Sequence, residues 1–272
     1  MQKNKFTLST VKAVNVIQKK LPRILRVKHV HYLTLNMIRV TFSGPELKGI
    51  PKGHEGGNCK LTIPNEHQCY EDFVEDLKQG VKFPVRTYTV RAFREDDLEL
   101  DIDFVAHGEE GPASRWAMSA KAGDFCGFMG PSPAKVSQFS ADWYLVAADM
   151  SALPIAAVTL ESMPRDAKGV AILEITSEND QQAIDAPLGV ELHWLVHSDP
   201  HTPSMAQESL IRQLEWPLGK VQACVAGETG VIKALRQLLL KEKGVNKSDA
   251  YVSGYWKIGL IEDEHQASKK KG

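Results

Sequence analysis

The hydrophobic pattern of this 272-residue chain changes period once, near residue 135. Before that point apolar residues come in short stretches that alternate with polar ones. Beyond it they come in unbroken runs separated by stretches of helical period. One sheet cannot satisfy both patterns. Alternation belongs to antiparallel strands with one wetter face, and continuous apolar runs belong to strands covered by helices on both faces. The expected architecture is therefore an N-terminal antiparallel β-barrel followed by an α/β domain built on a parallel sheet.

In the first half, "ILRVKHVHYLTLNMIRVTFSG" spans two strand lengths, with a turn expected around His31. "NCKLTIP" is a short strand stopped by Pro64, and "DFCGFMGP" is another that ends in a Gly-Pro turn. In "LELDIDFVAH", Leu98, Leu100, Ile102 and Phe104 share one face and Glu99, Asp101 and Asp103 the other, the pattern of a half-buried strand. The acidic stretch "EDFVEDL" reads as the polar side of a short helix over the barrel. "PSPAKVSQFSAD", residues 131–142, reads as a linker, which divides the chain into domains at 1–134 and 140–272.

In the second half, "WYLVAA", "GVAILEIT", "ELHWLVH", "KVQACVAGETG" and "DAYVSGYW" read as strands. "SALPIAAVTLESM" and "VIKALRQLLLKEKG" read as helices; in the second, Val231, Leu235, Leu238 and Leu239 form one stripe and Gly244 is a natural stop. Strand and helix alternating in this way imply right-handed crossovers, with a ligand cleft at the C-terminal ends of the strands.

The bulk numbers narrow the function. With 43% hydrophobic and 25% charged residues the composition is that of a soluble globular chain, and a net charge of −1 gives no field that favours nucleic acid. No run of 18 apolar residues exists to insert in a membrane, and no signal-peptide pattern opens the chain. Cys59, Cys69, Cys126 and Cys224 are scattered and lack metal spacing, so they read as free thiols in a reducing cytoplasm. His197 and His201 read as a surface loop, and Trp116, Trp143, Trp194 and Trp256 as core.

Two short motifs carry the chemistry. In "PVRTYTVRAF", Arg86, Tyr88 and Val90 lie on one face of a strand and Thr87, Thr89 and Arg91 on the other. Two arginines so close suit an anion such as a pyrophosphate, Tyr88 suits a stacked ring, and Thr89 offers a hydroxyl to a ring nitrogen. In "HGEEGPASRWA", a glycine-bounded loop feeds a helix whose first turn holds Pro112, so backbone N–H groups are presented to an anion. Together these describe a flavin dinucleotide site on a barrel.

The order Arg-x-Tyr-Thr-x-Arg, then His-Gly-x-x-Gly-Pro-Ala-Ser-x-Trp, then a Gly-Pro turn resembles the siderophore-interacting protein family, FAD-containing ferric-siderophore reductases of the ferredoxin–NADP reductase superfamily. "AADMSALPIAA", "ELHWLVH" and "VSGYWKIG" resemble its later signatures, and the likeness runs from about residue 20 to residue 260. It implies that Arg86, Tyr88, Thr89 and Arg91 hold FAD, together with His107, Gly111, Pro112, Ala113 and Ser114. It places Asp149, Ser151 and Ala152 near flavin and reductant, and "VAGET" as a nicotinamide-side loop with Gly227 and Glu228. Ala148 stands where the family commonly has glycine, and its methyl narrows that turn. Lys257 occupies a position where the family commonly has a basic residue for the ferric siderophore, with Lys52 and Lys135 as companions.

The implied activity passes electrons from NADH, NADPH or reduced ferredoxin through FAD to an Fe(III)-siderophore, releasing Fe(II) in the cytoplasm. The protein, expected as a monomer, needs neither an acid–base residue nor a metal ligand of its own for this. The alternatives are a flavin reductase of the same superfamily with another acceptor, and a siderophore-binding carrier without reductase activity. The tail "IEDEHQASKKKG" is expected to be a disordered end or a docking helix.

Overall fold

The computed structural model describes residues 21–106 and 111–260. Six strands close a barrel: β1 (Arg23–Thr34), β2 (Met37–Ser43), β3 (Asn58–Thr62), β4 (Val85–Arg94), β5 (Glu99–Val105) and β6 (Phe125–Met129), paired in the order β1-β2-β5-β4-β3-β6, every pair antiparallel. Val40, Phe42, Leu61, Leu100, Ile102, Phe104 and Phe128 fill it and are wholly buried. Each such side chain contributes about 1.5–3 kcal/mol of transfer free energy. Helix α1 (Tyr70–Gln79) covers one end, seating Phe73 between Phe83 and Phe125, as the acidic stretch with one apolar face implied. Helix α2 (Pro112–Ser119) packs Trp116 on Phe42 and Phe104.

The second half forms a parallel sheet of β7 (Trp143–Ala148), β8 (Lys168–Ile175), β9 (Gly189–Val196), β10 (Val221–Glu228) and β11 (Ala250–Trp256), in the order β11-β10-β7-β8-β9. Helices α3 (Leu153–Ser162), α4 (Ala206–Gln213) and α5 (Thr229–Gln237) cover its faces, α5 running on into a π-helical turn over Leu238–Glu242 that ends before Gly244 at φ +71°. The connections from β7 run to one side and those from β10 to the other. The switch point therefore falls between β7 and β10, where a ligand cleft is expected.

Two local expectations are corrected. Strand β1 runs through His31 to Thr34, and the chain turns at Leu35 and Asn36. The polar face of β5 is not wetted: Asp101 and Asp103 are 5% and 6% exposed. Arginines on neighbouring strands make that burial tolerable. Arg94 donates to both Asp101 oxygens at 2.7 and 2.8 Å, Thr41 Oγ1 donates to the same carboxylate at 2.7 Å, and Arg39 makes a two-point contact with Asp103. Burial alone would raise the Asp101 carboxyl, but Arg94 and Thr41 outweigh it and hold it below the ordinary aspartate value. Residues 131–142 join the two halves, and Val136, Phe139 and Ala141 within them pack against the core of the α/β domain.

The same core takes side chains from the barrel. Met37 is buried in it, with Leu33 and Val105 packed alongside. Two polar contacts span the same boundary. Arg91 of β4 donates to both oxygens of Glu161 on α3 at 2.8 and 2.6 Å. Asp180, fully buried after β8, accepts from Thr34 Oγ1, Asn36 Nδ2 and Thr176 Oγ1 at 2.8, 2.9 and 2.8 Å. These contacts fix the walls of the cleft between the two halves.

Candidate functional site

That cleft has a volume of about 790 Å³, within the range of small-molecule and cofactor sites. One wall comes from the barrel. The period of β4 delivers Arg86 and Tyr88 to it, with the Tyr88 ring seated on Phe104 at 4.4 Å between centroids. Gly111, Pro112, Ala113 and Ser114, at the opening of α2, continue the wall. Gly111 stands at the N-cap and brings no side chain over that end of the helix; Ser114 Oγ donates to the Val105 carbonyl at 3.0 Å.

The facing wall is the switch point. Asp149 follows β7 and joins three strand ends. Its Oδ1 accepts from Ser151 N, Ser151 Oγ and Ala152 N at 2.9, 2.6 and 3.3 Å; its Oδ2 accepts from Glu228 N and Trp256 Nε1 at 2.7 and 2.8 Å. Burial pushes the Asp149 carboxyl up, and these donors oppose the shift. Gly227, at φ +151°, makes the approach possible: a Cβ there would lie 2.6 Å from Asp149 Oδ2. Glu228 caps α5 through Val231 N at 2.9 Å, as its place at a helix start implied. Asp149, Ser151, Gly227 and Glu228 all line the cleft, and Lys257 stands exposed on its rim beyond β11.

Other expected residues lie away from the lining. Arg91 is taken by Glu161, so its charge joins the two halves instead of facing a phosphate. Thr89 is buried with its side chain beside the Tyr255 hydroxyl, and Ala152 is buried in the turn that Asp149 caps. Lys52 pairs with Glu95 at 2.7 Å and Lys135 donates to Ser132 Oγ at 3.0 Å, neither at the cleft. His107 lies outside the described residues, as does the C-terminal tail from residue 261.

Several lining residues were not anticipated. Tyr255 and Trp256 line the cleft from β11, so Trp256 is a site residue as well as a packing one. His197 and His201 line it too, rather than lying on a remote surface loop. Glu174 is buried near the end of β8 and accepts from Ser204 Oγ at 2.5 Å; burial raises its carboxyl, and Ser204 and His197 oppose that. An acid inside the apolar run "GVAILEIT" was a visible signal for it. Gln207 of α4 gave none, since α4 lacks a strong apolar stripe. Among the described residues no group of three or more His, Cys, Asp or Glu could hold a metal ion.

A cleft with a cation, a ring and a glycine-led helix start on its barrel wall fits a flavin dinucleotide. The family models agree with that reading. Residues 26–135 match the siderophore-interacting FAD-binding domain and residues 141–259 match the siderophore-interacting protein model. This chain belongs to the siderophore-interacting protein family. The ferric vibriobactin reductase ViuB of Vibrio cholerae is 34% identical over 264 residues, covering 94% of this chain and 96% of that protein. A ferric acinetobactin reductase of Acinetobacter baumannii is 30% identical over 183 residues, 66% of this chain and 63% of that one. The crystal structure of the siderophore-interacting protein SipS from Aeromonas hydrophila superposes with a TM-score of 0.80 at 31% identity, covering 92% of this chain and 97% of that chain. More distant ferredoxin–NADP reductase structures share the barrel-plus-sheet fold; that from Plasmodium falciparum has a TM-score of 0.62 at 12% identity over 86% of this chain and 96% of that one.

Proposed function

We propose that this protein is an FAD-dependent ferric-siderophore reductase. The observation that carries the reading is the convergence of Arg86, Tyr88 and the opening of α2 on one cleft with the Asp149–Ser151 turn. The names of full-length relatives support it. When bound, FAD supplies the redox chemistry, taking an electron pair from a donor and passing electrons singly to Fe(III) in the siderophore.

The chain's own residues bind and orient. Arg86 neutralises cofactor phosphate, Tyr88 offers its ring to a flat partner, and the backbone at Gly111–Ser114 receives a second anionic group. Thr89, Arg91 and Ala152 act behind the lining: Arg91 sets α3 against β4, Ala152 completes the Asp149 turn, and Thr89 positions Tyr255. Lys257 gives the exposed rim a positive charge that suits an anionic ferric chelate; Lys52 and Lys135, tied to Glu95 and Ser132, do not reach that rim. Iron enters as substrate, already ligated by hard oxygen donors, and needs no protein ligand. NADH or NADPH is the proposed donor, with reduced ferredoxin the outcome to test against it. Among the described residues no helix is long and apolar enough to cross a membrane, and the four cysteines are unpaired. Monomeric action in the cytoplasm is the setting we propose.

The test is an anaerobic titration of FAD-loaded protein followed by visible absorbance. NADH or NADPH should bleach the flavin, and a tris-catecholate or tris-hydroxamate ferric chelate should restore the colour while an Fe(II) trap fills. Bleaching with no trapped Fe(II) would point to another acceptor. Protein that retains no flavin would overturn the reading in favour of a carrier.

A further inference from the structure

The part of the cleft formed by the ends of β8 and β9 and the start of α4 differs from the rest. Its lining carries no lysine or arginine; the described cations of the cleft, Arg86 and Lys257, belong to β4 and to the segment after β11. Two acceptors stand here instead. Gln207 is 2% exposed, and its Nε2 donates to the Ala148 carbonyl at 3.1 Å. That bond fixes the amide, so Oε1 is the atom left buried without a partner. Glu174 is 8% exposed; its Oε2 takes the Ser204 hydroxyl, and among the described residues nothing donates to Oε1. A buried acceptor left without a donor is costly, so Gln207 Oε1 suits a ligand that brings a donor, and the open Glu174 Oε1 stands ready to take a second.

The ligand edge that satisfies a carboxylate and an amide oxygen together is a pair of neighbouring hydroxyls. The position fits the same chemistry. In doubly wound sheets an acid about 20 residues beyond the first strand–helix turn accepts from a ribose 2′-hydroxyl. Glu174 lies 25 residues beyond Asp149, near the C-terminal end of the next strand, beside the switch-point strand β7. A ribose with a phosphate on its 2′ oxygen would set a dianion against the Glu174 carboxylate with no lysine or arginine at hand.

We propose that Glu174 and Gln207 form the subsite for an unphosphorylated adenosine ribose, so that the cleft takes NADH in preference to NADPH. This rests on the reading of a nicotinamide nucleotide as electron donor. His197 stands close enough to act on the Glu174 carboxyl, but its Nε2 is engaged with the Thr202 carbonyl at 2.9 Å, so one of its two ring nitrogens is taken from a ligand. His197, half-buried, and His201, exposed on the same loop, are the residues that a 2′-phosphate would have to use.

The test is calorimetric titration of the FAD-loaded full chain with ADP-ribose and with 2′-phospho-ADP-ribose, which carry no redox ring. ADP-ribose should bind at least about tenfold tighter, the ratio expected when hydrogen bonds to a charged acceptor are exchanged for repulsion. Glu174→Gln should bring the ratio towards unity. Equal or tighter binding of the 2′-phospho compound by the unaltered protein, or a ratio that Glu174→Gln leaves unchanged, would overturn the proposal. Flavin bleaching by NADH and NADPH, recorded in parallel, separates the two readings. Bleaching without discrimination removes the subsite and leaves the donor; no binding and no bleaching removes both.

Discussion

Arg86 and Arg91 lie five residues apart on one strand, and their fates show what a residue's type leaves open. Alternation places them on opposite faces, and the structure keeps that division: Arg86 faces the cleft and Arg91 faces α3. Which of them meets a phosphate depends on Glu161, seventy residues along the chain, and no local pattern announces that pairing. The same limit applies to Asp101, whose neutralising partners Arg94 and Thr41 come from other strands. Arg86→Gln removes the cation from the barrel wall but keeps a similar shape and a donor. We expect FAD affinity to fall about ten- to a hundredfold, the worth of about 1.5–3 kcal/mol for a hydrogen bond to a charged group. The dissociation constant measured by fluorescence quenching of added FAD checks this. An unchanged constant would move the phosphate site off Arg86.

At the scale of elements, period and punctuation revealed most of what was legible. The alternating strands, the apolar parallel strands and the stop at Gly244 all follow from them. The failures came where a partner decided the outcome. The β1–β2 turn sits at Leu35 and Asn36, where the asparagine suits a turn but the leucine does not announce one, because the register with β2 carries β1 past His31. Helix α4 is short, and its inward face presents Gln207 to the cleft beside Ile211 in the core, so its apolar signal is weak. The Asp149 turn was legible as a motif, but its role was not. Its carboxylate bonds backbone or indole N–H groups at the ends of β7, β10 and β11, and so holds three strand ends together. Gly227→Ala tests that clamp. The added methyl would meet Asp149 Oδ2 at 2.6 Å, on a backbone at φ +151° that L side chains rarely adopt. Steric displacement and backbone strain together should cost about 2–4 kcal/mol, seen as a lower midpoint in chemical denaturation. A variant as stable as the parent would show that the clamp yields freely.

Across the whole molecule, the change of period that separates the two halves suggests independence, and the structure argues against it. Met37, Leu33 and Val105 of the barrel pack into the core of the α/β domain, and the Arg91–Glu161 and Asp180 contacts brace the same boundary. The Asp180 contact has a defined pH signature. Burial alone would raise its carboxyl, but donors from Asn36, Thr34 and Thr176 outweigh burial and hold it below its ordinary value. A folded-state value below the unfolded one gives stability that is complete above about pH 4, the ordinary aspartate value, and that is lost as pH falls through the depressed value. Asp180→Asn places an amide N–H₂ among three donors, which should cost about 2–3 kcal/mol at about pH 7. The gap between variant and parent should narrow as pH falls through the depressed value, where the parent's carboxylate itself takes up a proton. Because the contact spans the boundary, the variant should also lose cooperativity: calorimetric and van't Hoff enthalpies, equal for the parent, should separate as one half melts before the other. A gap that stays the same as pH falls would show that the carboxylate's charge is not what joins the halves. Equal enthalpies in the variant would assign the coupling to the apolar contact of Met37 instead.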